Sequence, residues 1–129
     1  MAALSAVAAN RTLTIFAPPS APAGKPLDVP VMVVTDQKGE HIAFFHGEFS
    51  VDGGATWSAF SYEQQLGMSE KRTARIPGAA AGAKVMVRVR VAFRSDKGDV
   101  DVTGKPVDWQ NSWEKWQQPV AKVTTTLVK

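Results

Sequence analysis

The amino-acid sequence predicts an all-β fold, an antiparallel sandwich of about seven or eight short strands with one short helical insertion near the C-terminus. Several segments alternate apolar and polar residues with a period of two, which is typical of strands that bury one face. Clusters of Gly, Pro, Asp and Ser separate these segments at the short, regular spacing of a sandwich. The 129 residues, 44% of them hydrophobic, are the size of one domain with one core.

The first third of the chain is predicted to contain an apolar arm and two strands. Residues 1–10 (MAALSAVAAN) are the arm, and we leave open whether it is the remnant of an export signal or docks in an assembly. Residues 11–17 are rich in β-formers and end at a proline-rich connection, so they are the first strand. The second strand, 27–35, has apolar residues at alternate positions, and Pro30 predicts an edge strand or a bulge.

The middle of the chain is predicted to form two hairpins and a short strand. The first hairpin lies within residues 44–62, and its two strands are joined by a glycine-containing turn. The short strand covers residues 71–76. The second hairpin begins with residues 84–94, whose valines point inward and whose arginines point outward, and it returns through Val100 and Val102. Residues 120–129 form the last strand.

A tryptophan-rich segment at 106–118 interrupts the β-pattern. Trp109, Trp113 and Trp116 are spaced four and three apart, so a helix would place all three on one face. Asp108 is a suitable N-cap and Pro119 would end the helix. Aromatic side chains of this size bury about 150 to 250 Å² each, so the three must either cap the core or contact a partner. Both alternatives stay open.

A motif in the turn of the first hairpin resembles a turn found in known protein families. Its members fit S-x-D-x-G-x-T-W and are Ser50, Asp52, Gly54, Thr56 and Trp57. The turn resembles the Asp-box of sialidases and related β-propellers. Propellers repeat the box at the spacing of their blades, whereas it occurs once here and the chain is too short for several blades, so a sialidase is not predicted. Similar turns occur singly in immunoglobulin-like and fibronectin-III-like sandwiches, which the chain resembles over roughly Pro22 to Gly104. Residues 1–129 are therefore predicted to be a single immunoglobulin-like domain. The resemblance implies a structural role, in which the Asp accepts backbone hydrogen bonds, the Gly adopts a left-handed conformation and the Trp packs under the hairpin.

Candidate catalytic and metal-binding residues are few. The absence of cysteine excludes disulfides, thiolate nucleophiles and the common structural zinc sites. His41 and His46 are five residues apart on one strand, which predicts opposite faces of the sheet, and no serine or carboxylate completes a triad. Asp96, Asp99 and Asp101 do not follow the spacing of a calcium loop. The sequence therefore predicts no enzyme, no cofactor and no metal.

The residues predicted to bind a ligand or partner are tryptophans and arginines. They are Trp109, Trp113, Trp116, Arg88, Arg90 and Arg94. The three arginines, with Arg72 and Arg75 on a neighbouring strand, would form a basic stripe on one sheet face. No aromatic residues alternate with them for base stacking, and a net charge of +3 is modest, so specific nucleic-acid binding is not predicted. No apolar run reaches the length of a membrane span.

The predicted function is that of a non-catalytic structural or interaction module that binds a protein partner or self-assembles. We expect a component of a surface assembly, such as a decoration protein of a phage capsid. The alternative is a carbohydrate-binding module of a secreted or cell-surface protein that binds a polysaccharide, which the Asp-box and the tryptophans motivate. A virion or extracellular surface is the favoured location.

Overall fold

The computed structural model describes residues 11–98, 100, 113, 116 and 121–129. These residues contain eight β-strands in two sheets, and no helix occurs among them. The all-β prediction with about eight strands is therefore confirmed. The strands are β1 (Arg11–Ile15), β2 (Ser20–Ala21), β3 (Leu27–Thr35), β4 (Glu40–Ser50), β5 (Ser58–Gln64), β6 (Ser69–Ile76), β7 (Lys84–Ser95) and β8 (Lys122–Val128).

The two sheets are unequal in size. One has three strands in the order β1-β3-β6, and the other has five in the order β2-β8-β7-β4-β5. Neighbouring strands pair antiparallel, except that β2 pairs parallel with β8 through Ser20 and Ala21. The chain therefore leaves the three-stranded sheet after β1 and joins the edge of the five-stranded sheet at β2.

The core lies between the sheets and is built from the alternating strands that the sequence predicts. Val29, Val31 and Val33 of β3 are fully buried, and β7 contributes alternate buried residues from Val85 to Phe93. The side chains on the opposite face of β7 point away from this core, towards a second and smaller cluster. The five-stranded sheet thus buries apolar side chains on both of its faces.

Pro30 does not lie on an edge strand, so this prediction is wrong. β3 is the central strand of the three-stranded sheet, between β1 and β6. The last pair of the β1–β3 ladder is Ile15 with Val31, and Pro30 lies one residue beyond it, where its carbonyl accepts a hydrogen bond from the Phe16 amide at 2.9 Å. Proline lacks the amide hydrogen that would donate within a ladder. Because Pro30 lies at the end of the β1–β3 ladder, this lack does not interrupt the ladder.

The two histidines lie on the same face of the sheet, contrary to the prediction. The register of β4 against β7 shifts between Ile42 and Phe44, which marks a β-bulge. One extra residue in a strand reverses the alternation of the side chains that follow. His41 therefore pairs with Arg94 and His46 with Arg90, both of which are on the outward face of β7.

The predicted second hairpin falls mostly outside the described residues. Among those residues, β7 has β4 and β8 as its neighbours, and Val100 forms a bridge in which its carbonyl accepts from the Ser95 amide at 2.7 Å. Val102 lies outside the described residues, as does the N-terminal arm at 1–10. The predicted helix at 106–118 also lies outside them, apart from Trp113 and Trp116.

Candidate functional site

The turn between β4 and β5 is organised by two side chains. The Ser50 hydroxyl donates to Asp52 Oδ1 at 2.6 Å and accepts from the Gly54 amide at 2.9 Å. The Thr56 amide donates to Asp52 Oδ1 at 2.9 Å, and the Thr56 hydroxyl donates to Oδ2 at 2.5 Å. The hydrogen bond from Ser50 and those from Thr56 stabilise the ionised carboxylate and lower the pKa of Asp52 to about 2. Gly53 and Gly54 have positive φ, which the turn requires.

This turn delivers Trp57 to the outer face of the five-stranded sheet. The Arg88 guanidinium carbon lies 4.0 Å from the centroid of the Trp57 ring and 4.3 Å from that of Trp113. Arg88 Nε and Nη2 both donate to Glu48 Oε1, at 2.8 and 2.6 Å. The cation is therefore held between two indole rings and neutralised by the carboxylate of the neighbouring strand.

A second arginine, Arg90, lies two residues further along β7 and on the same face. The Arg90 guanidinium carbon is 4.5 Å from the centroid of Trp113 and 5.0 Å from that of Trp116. Its Nη2 and Nε lie 3.2 and 3.3 Å from His46 Nδ1. Burial lowers the pKa of Arg90, because water solvates the cation less well there.

Trp116 closes a small apolar cluster beside these cations. It is 2% exposed, packs with Phe44 and Ala92, and its indole Nε1 donates to the Val91 carbonyl at 2.8 Å. A buried indole N–H needs such a partner. Trp116 therefore caps the outer side of the sheet, and Trp113 is half-buried above the arginines.

His46 sits in the middle of the stacked groups. Its ring centroid is 4.9 Å from that of Tyr62 and 5.1 Å from that of Trp113, and its Nε2 is 3.5 Å from Glu48 Oε2. Burial lowers the pKa of His46, and the two nearby arginines lower it further, while Glu48 opposes the shift. Neutral imidazole is therefore the favoured form at neutral pH.

One aromatic ring of this group is open to solvent. Tyr62 is 61% exposed although its ring packs on Phe44 at 5.1 Å and on His46. Val123 of β8, paired with Arg88, is 56% exposed. We name the whole surface the aromatic-arginine face and define it as Phe44, His46, Glu48, Trp57, Tyr62, Arg88, Arg90, Trp113 and Trp116.

The structure brings together four of the six predicted binding residues, Arg88, Arg90, Trp113 and Trp116. Arg94 lies apart, opposite His41 near the end of β7, and Trp109 is outside the described residues. Aromatic rings from outside β7 do lie on these arginines, because the Trp113 ring centroid is 4.3 Å from the guanidinium carbon of Arg88 and 4.5 Å from that of Arg90.

The basic stripe does not extend to β6. Arg72 and Arg75 belong to the three-stranded sheet. Arg72 forms a bidentate ion pair with Glu63 at the edge where the two sheets meet, at 2.6 and 3.1 Å. Which strands share a sheet is not contained in their alternation, so the sequence could not place these residues.

Sequence reasoning missed the members of the face contributed by β4 and β5. Phe44, His46, Glu48 and Tyr62 meet β7 only through strand pairing, in which His46 lies between Arg90 and Tyr62. The signal that could have indicated this pairing is the opposite charge of Glu48 and Arg88, which lie on the outward faces of two strands. Among the described residues, no group of three His, Asp or Glu side chains could hold a metal ion.

Within the described part of the chain, no helix has both the length and the apolar character needed to cross a membrane.

Comparisons with known proteins give only a distant likeness. No protein-family model matches the sequence, and no curated protein matches it. Among solved structures, the chain is similar to two structures of superoxide reductase (neelaredoxin) from Ignicoccus hospitalis. One alignment covers 94% of this chain and 83% of the other, with a TM-score of 0.47 and 11% identity. The second covers 92% and 80%, with a TM-score of 0.46 and 11% identity. A likeness at this level carries no argument about the activity of this chain.

The prediction that the chain is not an enzyme is corrected, although the comparison assigns no activity to this chain. Both similar structures are named as superoxide reductases, which are enzymes. The prediction rested on the lack of a recognisable catalytic set in the sequence. Folding can assemble polar groups that are far apart in the chain, as it does for His41 Nδ1 and Asp96 Oδ1 at 2.7 Å. The prediction is therefore withdrawn.

Proposed function

We propose that the chain is a binding module that contacts a protein partner through the aromatic-arginine face. The observation that carries this proposal is the 61% exposure of Tyr62 on a surface that already holds three tryptophans and two arginines. Tyr, Trp and Arg are the residue types enriched at the energetic centres of protein interfaces. A large exposed ring on a rigid sheet costs little conformational entropy on binding.

The electrostatics of the face favour a partner without a strong charge. Arg88 is paired with Glu48, and Arg90 stacks on rings and contacts His46. The charged groups are therefore satisfied within the face, and among the described residues the large apolar side chains exposed there include Tyr62 of the face and the neighbouring Val123. Such a surface buries apolar area on binding without the free-energy cost of removing unpaired charges from water.

The strand order supports an immunoglobulin-like sandwich as the finer description of the fold. The first strand is divided between the sheets, with β1 beside β3 and β2 parallel to β8. β7 and β4 form the centre of the larger sheet, as expected for sheets packed with strands from distant parts of the chain. The turn at Ser50 to Trp57 is then the Asp-box-like connection of one hairpin, and its role is structural.

We propose that the binding serves a surface assembly, such as the decoration of a phage capsid, with a virion or extracellular location. A cysteine-free sandwich with one exposed aromatic face and an apolar arm at residues 1–10 suits attachment to other subunits. The partner is then a capsid or surface protein, or a second copy of this chain.

Co-sedimentation tests this proposal. Fluorescently labelled chain is mixed with virions or cell-surface fractions from its source, and the bound fraction is measured after centrifugation. We expect saturable binding that Tyr62→Ser weakens about tenfold or more, the effect of an interface centre. Thr73→Ala, on an exposed position of β6, is the matched control and should bind like the wild type. Equal binding by Tyr62→Ser would overturn the proposal.

A carbohydrate-binding module is the second candidate. The exposed Tyr62 ring and the half-buried Trp113 ring, which both pack on His46, offer an apolar platform for a sugar ring. Tryptophan fluorescence with a panel of soluble oligosaccharides tests it. A saturable change that Tyr62→Ser abolishes would support this candidate, whereas no change with any oligosaccharide would exclude it at this face.

A further inference from the structure

A polar depression lies at the other end of the five-stranded sheet from the Asp-box-like turn. Its volume is about 210 Å³, and its lining includes His41, Ala43, Gln64, Gln65, Arg94 and Asp96. These residues come from β4, from the end of β5 and from the end of β7. The depression shares none of its residues with the aromatic-arginine face, so its role is independent of the function proposed for that face.

Two irregularities of the backbone shape this depression. The β-bulge between Ile42 and Phe44 places Ala43 in its wall. Gln65 has a φ of 56°, the single positive value among the described non-glycine residues. The Gln65 amide donates to the Ala43 carbonyl at 3.1 Å, so the two irregularities support each other. Bulges and left-handed non-glycine residues cost stability, and they are concentrated at functional sites.

A histidine and a carboxylate from distant parts of the chain meet at its rim. His41 Nδ1 lies 2.7 Å from Asp96 Oδ1. The Asp96 backbone is itself fixed, because its amide donates to the Gly39 carbonyl at 2.8 Å. The contact fixes the orientation of the imidazole, so that Nε2 is the ring nitrogen left for another partner. A carboxylate has about four acceptor positions, and the contact with His41 uses one of them.

The lining combines hydrogen-bond donors and acceptors from a cation, an anion and neutral amides. Arg94 supplies donors, Asp96 supplies acceptors, and the amides of Gln64 and Gln65 supply both. A purely anionic ligand would meet Asp96, and a cation would meet Arg94. A sugar ring suits this mixture because each hydroxyl donates one hydrogen bond and accepts others. A volume of about 210 Å³ is smaller than the roughly 300 to 1,000 Å³ of sites for drug-sized ligands, which limits the ligand to one ring.

We infer that this depression, formed by His41, Gln64, Gln65, Arg94 and Asp96, is a binding site for a single neutral polyhydroxylated ring, such as the terminal sugar of a glycan. Asp96 and the glutamine amides accept from ring hydroxyls, and Arg94 donates to a hydroxyl oxygen. His41 holds Asp96 in place and presents Nε2 to the same ring.

A titration followed by two-dimensional ¹H–¹⁵N NMR tests this inference on the full chain. The probes are the methyl glycosides of glucose, galactose, mannose and N-acetylglucosamine. We expect at least one of them to cause saturable shifts of the amides of Gln65, Ser95 and Gly98, which adjoin the depression. Gln64→Ala and Asp96→Asn should each weaken that binding about tenfold, because each removes a hydrogen-bonding group.

The control is Lys38→Ala, which lines the neighbouring depression and should bind like the wild type. The NMR spectrum of each variant also reports whether it is folded, and Gln64 is exposed on an edge strand, so its truncation leaves the fold intact. The inference is overturned if no glycoside causes saturable shifts, if the shifts occur only around Tyr62 and Trp57, or if inorganic phosphate displaces the bound glycoside.

Discussion

At the scale of single residues, the Asp-box-like turn shows how much one carboxylate can organise. Asp52 is exposed to solvent, yet it accepts from Ser50 and twice from Thr56. These hydrogen bonds favour the ionised form, which is why the pKa falls from 3.8 to about 2. The turn is therefore more stable when Asp52 is charged.

Acid titration tests this role of Asp52. A carboxyl group with a lowered pKa in the folded state adds stability that is complete above its unfolded pKa and is lost as the pH falls through the folded value. The contribution of Asp52 should be constant above about pH 5 and decline between about pH 4 and 2. Urea unfolding of the wild type and Asp52→Asn at several pH values measures it. A stability difference that stays constant down to pH 2 would contradict the assignment.

Gly47 is required for a different reason, which is space. A Cβ at this position would lie 2.3 Å from Cζ of Phe60, on the core side of β4. Gly47→Ala should therefore lower the free energy of unfolding by about 1 to 3 kcal/mol, the usual cost of overpacking. Chemical denaturation measures the loss. Phe60→Leu in the same chain should restore part of it, and a double variant no more stable than Gly47→Ala would show that Phe60 is not the cause.

The sequence predicted the turn because the side-chain hydrogen bonds of its motif are local. Ser50, Asp52, Gly54 and Thr56 lie within seven consecutive positions, so their pattern can be read directly. The pairing of Tyr62 with His46, and of His41 with Asp96, depends on strand register and on a bulge. Neither feature leaves a mark in the alternation of residues, which is why both were missed.

At the scale of elements, the outward faces of β4 and β7 form the aromatic-arginine face by pairing in register. Glu48 lies opposite Arg88 and His46 opposite Arg90. The alternation of β7 predicted that the arginines would face outward, and they do. It could not predict that the later segment carrying Trp113 and Trp116 would cover them.

Two arginines that each pair with a glutamate through two nitrogens allow the contribution of the rings to be measured. Arg88 pairs with Glu48 and also lies between Trp57 and Trp113, whereas Arg72 pairs with Glu63 at a more exposed edge. Arg88→Ala should lower the free energy of unfolding by about 2 to 3 kcal/mol. Arg72→Ala should lower it by about 0.5 to 1 kcal/mol. Equal losses, measured by urea unfolding, would mean that the rings contribute nothing.

At the scale of the whole molecule, the five-stranded sheet buries apolar side chains on both of its faces. The main core lies between the sheets, and the smaller cluster of Phe44, Ala92 and Trp116 lies outside. The sequence predicted eight strands and one main core, because alternation reports which face of a strand is buried. The parallel β2–β8 pair and the second cluster depend on which strands become neighbours, and local patterns do not report this.

Truncation of Trp116 measures how strongly the outer cluster stabilises the molecule. Its side chain is 2% exposed and donates to the Val91 carbonyl. Trp116→Ala should lower the free energy of unfolding by about 3 to 5 kcal/mol, as for other buried tryptophans, while circular dichroism still shows β-structure. Val123→Ala, at an exposed position of β8, is the control and should change stability by less than about 0.5 kcal/mol. A loss of the same size for both variants would contradict a second core.

Site-specific photo-crosslinking tests whether the aromatic-arginine face contacts a protein partner. A photoreactive phenylalanine replaces Tyr62 in one chain and Thr73, on the other sheet, in a second chain. Both are produced in the cells or particles that contain the protein, irradiated, and analysed by mass spectrometry. We expect one dominant adduct from position 62, to a surface protein or to a second copy, and none above background from position 73. Equal adducts from the two positions, or none from position 62, would contradict the proposal.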